Sequence, residues 1–160
     1  IEFVQSLKGQ EITNTIDFIG MNIKALYSEK VDQAEIKSTA MVQDYLKATD
    51  GAQRLPLNFR FQAGKVALDT RGDRDLNRVV DFLKESVDRQ IILAGFTDNG
   101  GDYDVNLKLA RIRAEIVAEQ LRARGVVVHH VASGGEEFPV ASNLSASGKE
   151  KNRRVEVWLR

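Results

Sequence analysis

Polar groups and glycines gather at one point of this 160-residue chain, in Phe96-Thr97-Asp98-Asn99-Gly100-Gly101-Asp102. A hydroxyl, carboxylates and an amide directly after a short apolar run suit ligand binding, because α/β folds place binding groups at the carboxyl ends of their strands. The same residues also suit an ordinary turn. Further on, Asn106 and Arg113 are seven residues apart, so on a helix they project from nearly the same face. On periodicity alone they form either a polar wall beside that turn or part of a solvated stripe. Arg153, within Asn152-Arg153-Arg154, could contact phosphate or simply charge a strand edge. Catalytic constellations are missing. His129 and His130 are adjacent on a strand, point to opposite faces and cannot share a metal. Glu136 and Glu137 are loop neighbours rather than a spaced acid/base pair, and no nucleophile elbow, calcium loop or phosphate loop has the required spacing. These residues show no catalytic or metal-binding machinery.

The elements that must position these groups are legible from the period of the apolar residues. Leu57, Phe59 and Phe61 alternate with polar residues as in a half-buried strand. Leu68, Leu76, Val79, Val80 and Leu83 recur at helical spacing, which predicts a helix over about 70–85 with Asp69 and Thr70 as capping candidates. Ile91 to Ala94, closed by Gly95, reads as a central strand covered on both faces. Val105, Leu109, Ile112, Ile116 and Leu121 predict a long second helix ended by Gly125. Val126 to Ala132 is a strand candidate, Ser133 to Asn152 a loop, and Val155, Val157 and Leu159 a final alternating strand. The order β-α-β-α-β-β predicts an α/β two-layer sandwich, with helices as crossovers. Upstream, Ile1, Val4, Leu7 and Ile12 have an approximately helical spacing, Ile36 to Lys47 reads as a second helix, and Asp50, Gly51 and Pro56 mark turns.

Composition excludes several classes of function. Lys+Arg and Asp+Glu each number 23, so no overall positive field draws in nucleic acid or an anionic membrane. There is no cysteine for a disulfide or thiolate site. No apolar run approaches the roughly 18–20 residues that span a bilayer. The chain starts at Ile1 in mid-pattern, which reads as a piece of a longer protein whose targeting signal would lie upstream.

Taken together, five ordered blocks resemble the C-terminal domain of the outer-membrane protein A (OmpA-like) family. These are Phe59-Arg60-Phe61 with Leu68-Asp69, Gly95 to Gly101, Asn106 through Arg113-Ala114, Gly134 to Pro139, and Asn143 through Gly148 to Asn152-Arg153-Arg154-Val155-Glu156. Phe96 stands where a histidine is frequent, and Ala110 where the family's Leu-Ser-x-x-Arg-Ala pattern has serine. The resemblance implies a mixed sheet and non-catalytic binding of the peptidoglycan stem peptide through its zwitterionic diaminopimelate residue. Asp98 would accept from the ammonium and Arg113 would donate to the carboxylate as a fork. Asn106, Thr97 and Arg153 would complete the polar shell, and Phe61 would bound the pocket. A few charged hydrogen bonds of about 1.5–3 kcal/mol each imply affinity on the order of micromolar to millimolar per stem, reinforced by multivalency on the polymer. The resemblance also implies a periplasmic location at the outer membrane or cell wall, with weak homo-oligomerisation left open. A domain of the same family that binds a protein partner instead of the wall is the alternative. A second resemblance, over Ile1 to Ser6, Gly9 to Ile12 and Phe18 to Gly20, is to the tail of periplasmic phosphate-type substrate-binding proteins. The expected organisation is thus a remnant of such a domain at 1–24, a helical linker at 25–56 and the OmpA-like domain at 57–160.

Overall fold

The computed structural model describes residues 40–68, 71–86 and 88–160. The expected helix and the substrate-binding resemblance within 1–24, the predicted helix start at Ile36, and the capping candidates Asp69 and Thr70 lie outside the described residues. The elements are α1 (residues 40–49), β1 (Gln53–Arg60), α2 (Gly72–Lys84), β2 (Ile91–Phe96), α3 (Tyr103–Ala123), β3 (His130–Gly135), α4 (Ala146–Asn152) and β4 (Arg154–Leu159). Four strands form a mixed sheet in the order β1-β4-β2-β3. β2 pairs parallel with β3 and antiparallel with β4, and β1 pairs antiparallel with β4. The predicted α/β sandwich is therefore the observed one.

Helices α2 and α3 cover one face of the sheet, burying Leu76, Val79, Val117 and Leu121 against Phe59, Leu93, Val155 and Val157. For α2 the buried residues Leu76, Val79 and Leu83 are those the spacing predicts. For α3 the spacing misleads. Val105 and Ile112 face outward, at 59% and 48% exposure, while the buried stripe runs through Asn106, Leu107, Ala110, Arg113, Ala114, Val117, Ala118 and Leu121. Alanines lie against the sheet because the helix backbone comes very close to it: a Cβ at Gly95 would fall 1.9 Å from the carbonyl oxygen of Ala110. The alanine in place of the family's serine thus sits where helix backbone and sheet come close together.

Three further elements depart from expectation. β1 begins at Gln53 and runs through Pro56, where turns were expected. Proline is tolerated there because β1 is an edge strand with a register shift between Arg54 and Asn58. The third strand is displaced, running from His130 to Gly135 instead of Val126 to Ala132. Within the expected loop, α4 is capped by the Ser145 side chain, which accepts from Gly148 N.

The second face of the sheet is not left to solvent. Tyr45 of α1 packs edge-on to Phe96 at 5.2 Å between ring centroids, and against Phe138 and Trp158. Under this aromatic cover lie Arg154 and Glu156, only 2% and 1% exposed. Arg154 Nε donates to Glu156 Oε1 at 2.9 Å, Arg54 Nη1 donates to the same oxygen at 3.0 Å, and Trp158 Nε1 donates to Oε2 at 3.1 Å. The guanidinium of Arg154 also stacks 4.0 Å from the centre of the Phe96 ring. Phe138, held by Arg154 Nη2 donating to its carbonyl at 2.9 Å, adopts a left-handed backbone with φ 58°.

Candidate functional site

The carboxyl end of β2 delivers Thr97 and Asp98 to one end of the sheet. Thr97 N donates to Gly135 O at 2.7 Å, which ties the ends of the parallel pair β2 and β3 together. Asp98 then closes a tight turn by accepting from Gly100 N through Oδ1 at 2.9 Å. Asp102 caps α3, accepting from Val105 N at 3.1 Å, so the turn leads directly into the helix that carries Asn106 and Arg113.

Both of those side chains are buried rather than solvated: Asn106 is 4% exposed and Arg113 is 0% exposed. Asn106 braces the turn. Its Nδ2 lies 3.1 Å from Gly100 O, 3.4 Å from Asp98 O and 2.8 Å from Glu136 Oε2. Arg113 reaches toward the loop after β1, where Nε donates to Lys65 O at 2.9 Å and Nη2 to Gln62 O at 3.0 Å. Its guanidinium carbon lies 5.2 Å from the centre of the Phe61 ring. Arg153 links the two halves, donating from Nε to Phe61 O at 3.0 Å and from Nη1 to Asp98 Oδ2 at 2.8 Å.

Asp98, Arg113, Arg153 and Phe61 therefore converge, with Asn106 as a brace and Thr97 at the strand end. Among the described residues, two buried polar atoms in this cluster have no partner, Arg113 Nη1 and Thr97 Oγ1. Buried polar groups are normally hydrogen-bonded, so these two atoms stand out in the cluster. The arrangement also refines the expected fork. Because Nε and Nη2 of Arg113 already serve loop carbonyls, Nη1 is the guanidinium nitrogen left without a partner.

Burial favours a neutral Asp98, but the Arg153 hydrogen bond, the Gly100 N–H and the charges of Arg153 and Lys149 outweigh it and hold its pKa below the ordinary value. Arg113 is pushed down to about 10 by burial and by the like charge of Arg153, against the opposing attraction of Asp98. Two guanidinium groups thus face one carboxylate, and an incoming anion would balance them. A lowered folded-state pKa means that Asp98 contributes stability fully above its unfolded value of about 4, and that this is lost as pH falls through the folded value. Acid titration followed by circular dichroism should show Asp98→Asn flattening the loss of stability below about pH 4; an unchanged slope would remove Asp98 from the account.

Sequence reasoning missed two residues. Glu136 was read only as a loop carboxylate, yet it holds Asn106. Its neighbour Glu137 accepts from Tyr103 Oη at 3.0 Å; burial and these acidic neighbours push the Tyr103 phenol up to about 12. Asn152 is fully buried and fixes the loop before α4, accepting from Val140 N and Ala141 N and donating to Ala141 O and Asn143 Oδ1. An asparagine at the junction of two elements was the only available signal.

Comparison with known proteins gives a consistent picture. A family model described as the OmpA family matches residues 60–153. The chain is 39% identical over 110 residues to the peptidoglycan-binding protein ArfA of Mycobacterium tuberculosis, covering 68% of this chain and 29% of that protein. It is 36% identical over 107 residues to the probable lipoprotein YiaD of Escherichia coli, covering 66% and 49%. The chain spans less than half the length of these two curated relatives. Among solved structures, the peptidoglycan-associated lipoprotein from Burkholderia pseudomallei superposes with a TM-score of 0.60 at 27% identity, over 65% of this chain and 90% of that one. The C-terminal domain of Helicobacter pylori MotB gives 0.59 at 27% identity, over 64% and 83%.

Proposed function

This chain belongs to the OmpA family, and on that premise we propose that its α/β domain binds peptidoglycan without catalysing a reaction, holding an envelope protein to the cell wall on the periplasmic side. A relative and a structural neighbour named for peptidoglycan support the polymer as partner. The observation that carries the reading is the buried, unpartnered Nη1 of Arg113, set in a cluster with an Asp98 whose pKa is held low. One cation with a spare donor and one anion with spare lone pairs form a clamp for a zwitterion.

The free end of diaminopimelate in the stem peptide has that character. Its carboxylate would accept from Arg113 Nη1, and its ammonium would donate to Asp98 alongside Arg153. Thr97 Oγ1 adds a further partner near the turn, and Phe61 gives Arg113 an aromatic backing. Since Asn106 Nδ2 is engaged with the turn and Glu136, its role is to position Asp98.

Calorimetric titration of a stem peptide containing meso-diaminopimelate tests the reading, with Asp98→Ala beside the wild type and Arg111→Ala as a control on the exposed face of α3. The expected result is saturable binding at micromolar to millimolar concentration, weakened at least about tenfold by Asp98→Ala and unaffected by Arg111→Ala. No saturable binding by the folded wild type at millimolar peptide would overturn it and favour a protein partner.

A further inference from the structure

One cation beside the Asp98 cluster has no assigned role. Lys149 lies in α4, where its carbonyl accepts from Arg153 N at 3.1 Å, so it stands one helical turn before the arginine that holds Asp98 Oδ2 at 2.8 Å. We propose that Lys149 recognises a second carboxylate of the stem peptide, next to the diaminopimelate residue, and so sets which chemical form of the stem the domain prefers. The inference rests on the peptidoglycan reading given above and deepens it.

Lys149 is partly buried, and its charge reaches the site, being one of the influences that hold Asp98 ionised. Among the described residues its ammonium nevertheless forms no hydrogen bond or ion pair. A lysine in a last turn also offsets the negative end of its helix, but Lys151 shares that turn and is exposed. It is equally placed for that task, and Lys149 is the one that bears on Asp98.

The chemistry of the missing partner follows from the charges. Arg113, Arg153 and Lys149 all act on the single carboxylate of Asp98, while the neighbouring acids Glu136 and Glu137 are engaged by Asn106 and Tyr103. The end of diaminopimelate is a zwitterion and brings no net charge, so its arrival leaves the excess of cations as it was. Two polar groups at the site are buried and lack a partner among the described residues, Arg113 Nη1 and Thr97 Oγ1, in residues that are 0% and 4% exposed. Arg113 Nη1 takes the diaminopimelate carboxylate in the proposed mode. Lys149 sits on a different element and nearer to solvent, which suits a different anionic group of the same ligand. An ammonium is a point charge with three rotatable donors, fit for a carboxylate on a flexible peptide. Two groups of the stem qualify: the α-carboxylate of the γ-linked glutamyl residue before diaminopimelate, and the terminal carboxylate of the alanine after it. Amidation removes the charge of either with little change in size, so the domain would tell free stems from amidated ones.

Calorimetric titration of stem tetrapeptides into the intact chain tests this, using one peptide with both carboxylates free, one amidated at the glutamyl α-carboxylate and one amidated at the carboxyl terminus. The wild type should bind the free peptide at least about threefold more tightly than one of the amidated forms, the scale of a partly exposed ion pair, and the form that suffers identifies the carboxylate. Lys149→Gln should abolish that preference, Lys149→Arg should keep it, and Lys151→Gln should leave it unchanged. A structural role alone would lower affinity for every peptide equally and leave the preference intact. Equal binding of all the peptides by the wild type, or a preference that survives in Lys149→Gln, overturns the proposal while the clamp of Asp98 and Arg113 stands. Absence of binding to any peptide by the folded wild type overturns both.

Discussion

Glu156→Ala is expected to destabilise the domain by about 3–5 kcal/mol, the range for removing one partner of a buried ion pair. Glu156 lies under the aromatic cover of Tyr45 and Trp158 and accepts from Arg154, Arg54 and Trp158. Arg154 is strongly desolvated, which by itself lowers its pKa, and Glu156 is the leading influence that raises it again. Without the carboxylate, Arg154 would keep its carbonyl contacts and the Phe96 ring but would hold a buried charge with no counter-ion. Native domains of this size have total stabilities of about 5–15 kcal/mol, so the loss should be visible as a drop in Tm of more than about 10 °C. Urea denaturation measures it directly. Replacing both members, as Arg154→Met/Glu156→Met, should cost less than the single change, because no buried charge is stranded. A Glu156→Ala domain within about 1 kcal/mol of wild type would show that the network is solvated in solution.

The second large effect concerns ligand. Arg113→Lys keeps the positive charge but loses the planar fork, and we expect stem-peptide binding to fall by at least about tenfold, or roughly 1.4 kcal/mol. An ammonium is a compact point charge on a flexible stem. It cannot hold Gln62 O and Lys65 O as Arg113 does while also presenting a donor to a bound carboxylate. The same loss leaves a loop carbonyl short of a partner, at a cost of about 1–3 kcal/mol in stability. Calorimetry beside urea denaturation separates the two. Binding within twofold of wild type would falsify the clamp while leaving the structural role of Arg113 standing.

How much of this was legible depends on which groups carry a periodic signal. The apolar run at Ile91 and the spacing of Leu76, Val79 and Leu83 report burial directly, and both elements appear where they were expected. The face of α3 was misread because small residues carry the contact: alanine is a weak marker of burial until the approach of Gly95 to Ala110 is known. β4 alternates like a strand with one solvated side, yet Arg154 and Glu156 are as buried as Val155 and Val157. That face is covered by Tyr45, about 110 residues away in sequence, and local pattern does not report so distant a partner. The clustering of Asp98, Arg113, Arg153 and Phe61 came from ordered motifs rather than periodicity, since Asn106 and Arg113 suit a solvated stripe equally well. The brace from Glu136 and the loop lock by Asn152 depend on tertiary placement that no spacing encodes.

One feature of the sheet bears on how the domain is made. β4 is the latest strand in sequence but sits between β1 and β2. Among the described residues β1 has no other neighbour in the sheet, so it stays unjoined until β4 has been synthesised and inserted beside it. Contacts this remote in sequence slow folding, because the loop must be closed before any pairing compensates for it. Among the described strands, a nascent chain ending before Arg154 could pair only β2 with β3, joined by their crossover helix. Assembly is thus gated by the arrival of the final six residues of strand, and a ribosome-bound series of lengths should show protection of β1 only after β4 has emerged.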